Sequence, residues 1–572
     1  MRYLILTILA MILMVGVVSA LPGEVTATIV STATGGDIYQ EAYNYAEVGG
    51  EGAVLTETIT MTAEGTGIVD QEASNEGYAD GALAVVTQDI AMAATGTEVW
   101  QNYGWYDEYE GWYWCPICGE YHYYDDIYSD EPGNYAIVYG DGAVLTQSIS
   151  MDATGDNVWQ NYGDYYYELD DEEYGIYYEI YGIDYWPSNY AEVYGVGTTT
   201  TQTIDQTASA EDYVYQMAWN WVDPDAGSLA TQSIEQAAVA GGDIDQGAYN
   251  DAWFYGDGAV AFQDVSMDAN AGGYAYQDGY NWADMNGYDT IMVDQSATLN
   301  AIAGDWVYQY FYNDNWYAGT NTWSAQDITM SGTGDDVDQY LYNYFSSDGA
   351  VSEATQVLNA AANSEGYAYQ DAYNDMLTFG DDILGQSIYL NAVAADYADQ
   401  YGWNDAYVYG NNLNLGQLSW ISGDADYVYQ DAWNNAEFMD SVTVAQDIAL
   451  TAISDDIGVD QYGYNEATNY PLYFTGGEST NSIGQSISAA ATGGDVSYQY
   501  LMNYADTWWN MDPSAYDVVQ NNVATLDAND EAYQYMYNYI DWWGPNTGSV
   551  AMNINGDASA DYVYQYHENW IW

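Results

Sequence analysis

Hydrophobic and polar side chains alternate along most of this chain, and the alternation predicts β-strands. In residues 337–344, Val, Gln, Leu and Asn fall on one face of such a strand, whereas one Asp and three Tyr fall on the other. Successive side chains of a strand point to opposite faces. The pattern therefore predicts a strand whose inward face combines apolar groups with side-chain amides.

The same unit, a Gln followed four residues later by an Asn, recurs at intervals of mostly 30 to 32 residues. Self-similarity at such a period predicts a stacked repeat architecture. The predicted amide pairs are Gln40 and Asn44, Gln71 and Asn75, Gln216 and Asn220, Gln246 and Asn250, Gln277 and Asn281, Gln309 and Asn313, Gln339 and Asn343, Gln370 and Asn374, Gln400 and Asn404, Gln430 and Asn434, and Gln461 and Asn465.

A second Gln follows each pair about half a period later and leads a second alternating strand. Glu57 stands in its place in the first repeat. The second series comprises Gln88, Gln147, Gln202, Gln232, Gln263, Gln295, Gln326, Gln356, Gln386, Gln417, Gln446 and Gln485.

Two strands per period fit one coil of a β-solenoid, whose coils lie about 4.8 Å apart. In a parallel, in-register stack each Gln or Asn bonds the identical amide above and below, which removes the cost of burying an unpartnered amide. We therefore predict an all-β fold, a solenoid or stacked β-arch array of about 30-residue coils with two strands each. An antiparallel array of β-hairpins shares the period-two pattern and is the alternative.

The domain organisation follows from interruptions of the repeat. Residues 1–20 have the basic start, apolar run and small terminal residues of a secretory signal peptide. Residues 21–572 then form a single repeat β domain. Excursions at 105–133 and 164–188 leave from the same strand position, so we expect them to form one lateral lobe. Looser repeats from about residue 466 are typical of the end of a stack.

The charge of the chain narrows the choice of partners. Arg2 is the only Lys or Arg, against 87 Asp and Glu, and the formal net charge is −86 at pH 7. Nucleic acid and anionic membranes bind through cationic contacts, so neither is an expected partner of the mature chain. A hydrophobic fraction of 48% and an aromatic fraction of 17% argue against disorder. Packing against copies of itself, or divalent cations, would relieve the self-repulsion.

The two cysteines, Cys115 and Cys118, form a Cys-x-x-Cys segment that is followed by His122. This spacing resembles a zinc knuckle with His122 as a third ligand, and the fourth ligand would be a carboxylate or come from a neighbouring chain. A disulfide bond, within the segment or between chains, and a pair of free thiols are the competing interpretations.

Acidic turns are a second candidate cation site. Stacking aligns the turn Asp residues of successive coils, and arrays of carboxylate oxygens are typical calcium ligands. Turn formation and solubility explain the same acids without a metal.

The internal Gln and Asn positions resemble the repeats of curlin-type functional amyloid subunits, although the curlin repeat is shorter and its Gln-to-Asn spacing is one residue longer. The signal peptide, the acidity and the richness in Tyr, Asn and Gln are similar to those of the major sheath proteins of filamentous methanogenic archaea. This resemblance implies a structural subunit that self-assembles into an extracellular amyloid-like sheath or fibre around cells.

No catalytic residue set stands out, and we predict that the protein is not an enzyme. The acidic run at 170–173 has the residue types of a glycosidase site, but adjacent acids are common in a chain with 87 of them. We expect a secreted homopolymer of the extracellular envelope. The alternatives are a secreted carbohydrate-binding or carbohydrate-cleaving β-helix and a calcium-binding cell-surface adhesin.

Overall fold

The computed structural model is all-β, because every secondary-structure element in its described residues is a β-strand. The chain divides into two compact units, the first comprising Met1–Val222 with Ser233–Gly241 and the second comprising Asp223–Gln232 with Gly242–Trp572. No helix of the described part is long and apolar enough to cross a membrane. The structure describes residues 23–102, 106–115, 120–129, 133–161, 188–287, 290–317, 321–349, 351–379, 383–409, 413–439, 442–469, 480–507, 515–542 and 547–572.

The first unit is a stack of coils in which each coil contributes two strands. Equivalent strands of successive coils pair in parallel, so that Gln147 lies between Gln88 and Gln202. The strands are β1 (Glu24–Gly35), β2 (Ile38–Gly49), β3 (Val54–Gly65), β4 (Ile68–Asp80), β5 (Val85–Thr95), β6 (Glu98–Gln101), β7 (Tyr106–Cys115), β8 (Glu120–Ser129), β9 (Gly133–Tyr139), β10 (Val144–Gln160), β11 (Asn189–Tyr194), and most of β12 (Thr199–Pro224) and β13 (Leu229–Ala240).

The second unit repeats this arrangement with fewer interruptions. Gln339, for example, lies in register between Gln309 and Gln370. Its strands are β14 (Asp243–Tyr255), β15 (Val260–Ala271), β16 (Tyr274–Asn286), β17 (Ile291–Ile302), β18 (Trp306–Tyr317), β19 (Thr322–Gly334), β20 (Asp336–Ser347), β21 (Val351–Ser364), β22 (Tyr367–Thr378), β23 (Ile383–Val393), β24 (Tyr397–Val408), β25 (Leu413–Phe438), β26 (Val442–Asn469), β27 (Thr480–Gly493), β28 (Val496–Thr507), β29 (Ala515–Asp527), β30 (Glu531–Trp542), β31 (Thr547–Ser559) and β32 (Tyr562–Ile571).

The parallel, in-register pairing confirms the predicted β-solenoid and rules out the hairpin array for the described repeat strands. The exception is the pair β7 and β8, which is antiparallel and lies within the predicted 105–133 excursion. The predicted signal peptide and residues 164–187 of the second excursion lie outside the described residues, so the lateral lobe stays a prediction.

The core runs along the inside of the coils and follows the alternation of the sequence. In β20, Val337, Gln339, Leu341 and Asn343 are buried, and the residues between them are half-buried on the outer face. Burial of the aliphatic side chains supplies the main stabilisation, at roughly 25 cal/mol per Å² of apolar surface. Because Gln and Asn occupy the same buried face, the fold also depends on hydrogen bonds between amides.

Both excursions leave the stack at an asparagine in the left-handed conformation. Asn102 and Asn161 directly follow ladder glutamines and have φ values of 52° and 53°. Asn adopts this conformation more readily than other non-glycine residues. The chain returns in register, since Asn134 lies opposite Asn75, and Asn189 lies opposite Asn134. The chain thus pairs in register with the stack again from Asn134 and from Asn189.

Turns in the first unit stack glycine on glycine. Gly81 and Gly140 have φ values of 155° and 150°. A Cβ on Gly140 would lie 2.2 Å from the carbonyl oxygen of Gly81, and a Cβ on Gly195 would lie 2.3 Å from that of Gly140. The turns therefore pack too closely for any other residue at these positions.

We expect Gly140→Ala to destabilise the first unit by about 1–3 kcal/mol, because the added methyl group must displace the turn of the preceding coil. Urea unfolding and hydrogen exchange of residues 133–139 measure the effect. Gly36→Ala is the matched control, since a Cβ at Gly36 meets no atom within 4 Å. Equal stability of the two variants would show that the stacked turn imposes no steric constraint.

Candidate functional site

The first Gln of each coil forms a continuous hydrogen-bonded ladder inside each unit. The Nε2 atom of each Gln donates to the Oε1 atom of the Gln one coil earlier, at 2.7–3.0 Å. The longer sequence intervals between Gln461, Gln499 and Gln534 leave the distances at 2.8 and 2.9 Å. The ladder thus tolerates variable connections between coils.

The second Gln series forms a parallel ladder with the same donor direction, at 2.7–3.0 Å. It reaches Gln520, which is in register with Met552 of the following coil. Oε1 of Gln520 has no hydrogen-bond partner in the described part of the chain. In the first unit the ladder begins at Glu57, because Ala27 occupies the equivalent position before it.

The Asn ladder runs in the opposite direction. The Nδ2 atom of each Asn donates to the Oδ1 atom of the Asn one coil later, at 2.8–3.1 Å. All the amide residues predicted from the repeat lie in these three ladders. Asn134 and Asn189, which follow the excursions, are members as well.

Backbone carbonyl groups fix the direction of the ladders. Nε2 of Gln263 also donates to the carbonyl groups of Asn250 and Trp282, at 3.1 and 2.8 Å. Nδ2 of Asn250 donates to the carbonyl group of Asp264 at 3.2 Å. An exchange of nitrogen and oxygen in either amide would place two acceptors face to face. The same bonds link the two strands of each coil across its interior.

Glu57 is a carboxyl group within an amide ladder. It is fully buried, and Nε2 of Gln88 donates to its Oε2 atom at 2.8 Å. Its Oε1 atom has no hydrogen-bond partner among the described residues. Burial, together with the nearby charge of Glu76, raises the pKa of Glu57 to about 8, although the Gln88 bond opposes this shift. The neutral acid is therefore the form that fits the ladder.

The repeat pattern missed Gln206 and Gln236, which are buried amides of the first unit. Gln206 and Gln236 each follow a ladder Gln by four residues and lie 30 residues apart. Nε2 of Gln236 donates to Oε1 of Gln206 at 2.7 Å, and Gln206 donates to the carbonyl group of Met217 at 2.9 Å. Their shared offset from Gln202 and Gln232 was the signal in the sequence that could have identified them.

The outer face of the second unit carries an unbroken row of ten tyrosine rings. Neighbouring ring centroids are 5.0–5.6 Å apart. Offset and tilted rings at such distances attract one another. The row comprises Tyr276, Tyr308, Tyr340, Tyr369, Tyr401, Tyr429, Tyr462, Tyr498, Tyr535 and Tyr564.

The positions directly before and directly after the ladder Gln form two columns on the outer face. In part of the row, Tyr and Asp change places between these two columns from one coil to the next. Five successive coils read Asp-Gln-Tyr, Tyr-Gln-Asp, Asp-Gln-Tyr, Tyr-Gln-Asp and Asp-Gln-Tyr, starting at residue 338. Each Asp is therefore in register with Tyr on the neighbouring coils, and never with another Asp in these two columns. Within each column, two neighbouring Asp residues are therefore separated by two coil spacings.

The carboxylates of the two columns differ in their hydrogen bonds. On the side that precedes the Gln, Asp399 and Asp460 accept hydrogen bonds from the hydroxyl groups of Tyr367 and Tyr427, at 2.9 and 2.7 Å. On the other side, Asp371 and Asp431 accept no side-chain hydrogen bond from any described residue. Burial raises the pKa of Asp371, and it raises that of Asp431 to about 6.

The structure describes two of the three predicted zinc ligands, Cys115 and His122. Cys115 ends β7 opposite Glu120, and His122 lies in β8 opposite Tyr113. Cys118 lies outside the described residues, so zinc, a disulfide bond and free thiols all stay predictions. The described residues contain no group of three or more His, Cys, Asp or Glu that could hold a metal ion. The calcium prediction for the acidic turns is likewise untested.

Comparisons of the chain with protein-family models, with curated proteins and with solved structures found no match.

We expect Gln339→Leu to lower the free energy of unfolding by about 2 kcal/mol or more, because it leaves Oε1 of Gln309 without its donor and Nε2 of Gln370 without its acceptor. Urea unfolding followed by circular dichroism measures the loss. Asn300→Leu, at an exposed amide, should cost less than about 0.5 kcal/mol. Similar losses would contradict a stabilising role for the ladder.

Glu57 makes the stability of the fold depend on pH. Because its folded-state pKa is raised from 4.5 to about 8, Glu57 contributes stability fully below pH 4.5 and loses that contribution as the pH rises through 8. We expect Glu57→Gln to raise the melting temperature at pH 9 and to change it little at pH 4. The control is Glu64→Gln, at an exposed carboxylate. A pH-independent effect would show that Glu57 is not protonated in the fold.

Proposed function

We propose that this protein is a secreted structural subunit that self-assembles end to end into an extracellular sheath or fibre. A β-solenoid of this kind is compatible with a repetitive structural or fibre-forming protein. The observation that carries the proposal is the exposure of core positions in β32. Val563 and Ile571 are 39% and 53% exposed, whereas Ala532 and Ile540, with which they are in register, are fully buried.

Among the described strands, β31 pairs only with β29 and β32 only with β30, so this coil presents an open strand edge together with these apolar side chains. Unpaired N–H and C=O groups on a strand edge template the addition of another strand. A further coil in register would cover Val563 and Ile571 as β32 covers the coil before it. The occupant that we propose is the first coil of another copy, whose strands β1 and β2 have the same parallel repeat.

The direction of the ladders supports a head-to-tail contact. At β32 the Gln ladder offers Oε1 of Gln565 as its next acceptor, and the Asn ladder offers Nδ2 of Asn569 as its next donor. At β2 the Asn ladder offers Oδ1 of Asn44. Nε2 of Gln40 donates one hydrogen to Oγ of Ser31 at 2.8 Å, and its second hydrogen is the next donor of the Gln ladder. These groups match donor to acceptor when the two coils stack in the same direction. A heterologous contact of this type builds rings or open filaments.

The even distribution of aromatic rings favours a structural role over carbohydrate binding. Tyrosine occupies every coil from Tyr276 to Tyr564 and does not concentrate at one groove. A sugar-binding β-helix would concentrate its rings at a local groove, and a sugar-cleaving one would also need a carboxylate pair there.

The test compares the assembly of the unchanged full chain with that of a double variant, Val563→Lys with Ile571→Lys. We expect the unchanged protein to form polymers whose fibre diffraction shows the strand spacing of about 4.8 Å along the axis. The variant should remain monomeric in sedimentation, because charged groups would be buried at the contact. Hydrogen exchange of β14–β30 should be unchanged.

The matched control is Tyr562→Lys with Trp570→Lys, which places the same charges on the outer face of the same strand and should allow assembly. If the unchanged protein stays monomeric at every concentration, the proposed function is wrong. If the Val563 and Ile571 variant polymerises normally, the contact through this coil is wrong.

A further inference from the structure

We propose that Tyr139 and Tyr194 form a site of oxidative modification, at which a peroxidase and hydrogen peroxide join the two rings as dityrosine. The new carbon–carbon bond would link β9 to β11, which pair in parallel in the first unit. This inference does not depend on the assembly proposed above. It follows from the register, the exposure and the hydrogen bonds of the two side chains.

Stacking in register brings the two rings together. Tyr139 lies opposite Tyr194 in the pair of β9 and β11. Their ring centroids are 5.1 Å apart, and their ring planes differ by 12°. The backbone N–H of Gly140 donates to the carbonyl group of Tyr194 at 2.8 Å. The backbone beside the rings is therefore held at one coil spacing.

Both rings are accessible to an oxidant. Tyr139 is 48% exposed and Tyr194 is 40% exposed. Exposed side chains change rotamer within nanoseconds, and the torsion that turns a tyrosine ring has a broad range. Rotation about these bonds brings ring carbons of the two residues into contact without a change in the backbone.

A proton acceptor lies beside one of the rings. The hydroxyl group of Tyr194 donates to Oε2 of Glu192 at 2.8 Å. Because loss of an electron makes a phenol strongly acidic, a carboxylate in this position takes the proton as the radical forms. In the preceding coil Asp80, rather than another tyrosine, is in register with Tyr139. A radical on Tyr139 thus has Tyr194, and no tyrosine of the preceding coil, as its in-register partner.

The reaction removes one electron and one proton from each phenol. The proton of Tyr194 passes through Glu192 to water, and that of Tyr139 passes to water directly. Hydrogen peroxide accepts the two electrons and two protons and becomes two molecules of water. The two radicals then join through the ring carbons next to their C–O groups. The hydrogen on each joined carbon moves to the phenol oxygen as a proton, which restores both aromatic rings.

A second tyrosine stack in the same strands provides an internal comparison. Tyr135 and Tyr190 are in register, with ring centroids 4.9 Å apart and ring planes 7° apart. Both are half-buried, and the ring of Tyr190 also stacks on Trp221 at 4.3 Å. Burial, with a hydrogen bond to Glu192, raises the pKa of Tyr190. These rings have less room to rotate, so we expect them to react much less than Tyr139 and Tyr194.

The link would reinforce the stack where its strands are short. The strands β9 and β11 follow the two excursions and contain 7 and 6 residues, against 12 in β13. Fewer backbone hydrogen bonds therefore hold them to their neighbours. A covalent bond between residues that are distant in the sequence restricts the unfolded chain, as a disulfide bond does.

The experiment treats the folded full chain, at low concentration, with hydrogen peroxide and a peroxidase. Digestion with a glutamyl endopeptidase and mass spectrometry then locate the links. We expect one main intramolecular product, in which the peptides of Tyr139 and Tyr194 are joined with the loss of two hydrogen atoms. Amide hydrogen exchange of β9 and β11 should be at least about tenfold slower in the linked protein. The same product is expected in protein isolated from the cells that produce it.

Two variants of β9 test the choice of ring. Tyr139→Phe should abolish the product. Tyr135→Phe removes the same hydroxyl group from the half-buried stack and should retain it. Hydrogen exchange before oxidation confirms that both variants are folded. Links of similar yield at many tyrosines would show unselective oxidation and overturn the proposal, as would absence of the link from natively produced protein.

Discussion

The whole structure depends on stacking in register at one coil spacing, because this brings each side chain against its own equivalent. An inward polar group must therefore be able to bond a copy of itself. Side-chain amides satisfy this requirement, since each carries both a donor and an acceptor, whereas an ionised carboxylate carries acceptors alone. Glu57 illustrates the limit: it occupies an amide position only with a raised pKa and with one oxygen unpartnered.

Stacking in register also disfavours like charges on the outer face, because it brings equivalent side chains of successive coils together. Two carboxylates about 5 Å apart near a protein surface repel each other by roughly 1–3 kcal/mol. The exchange of Tyr and Asp between the two columns from residue 338 onwards avoids this contact within each column. The tyrosine row stays continuous through this region, because its rings follow one another diagonally across the strands. The arrangement thus combines aromatic stacking with charge separation.

Much of the fold could be predicted from the sequence because the stacking leaves a direct trace in it. The period, the two strands per coil and the amide ladders follow from the positions of Gln and Asn. The opposite directions of the ladders could not be predicted, since they depend on which carbonyl groups lie nearby. The pairing of Gln206 with Gln236 required the positions of neighbouring coils. The Cys115 and Cys118 segment differs in kind, because its sequence occurs once in the chain and shows no copy at the period of the repeat.

The exchange of Tyr and Asp gives the outer surface a different period from the core. Inside, one coil is equivalent to the next; outside, between residues 338 and 462, only every second coil is equivalent. Loss of the single coil that contains Gln370 would preserve the amide ladders but would bring Asp338 against Asp399. Recombination within the gene would therefore be tolerated best when it adds or removes coils in pairs, so that the heritable unit of this region is about twice the length of its structural repeat.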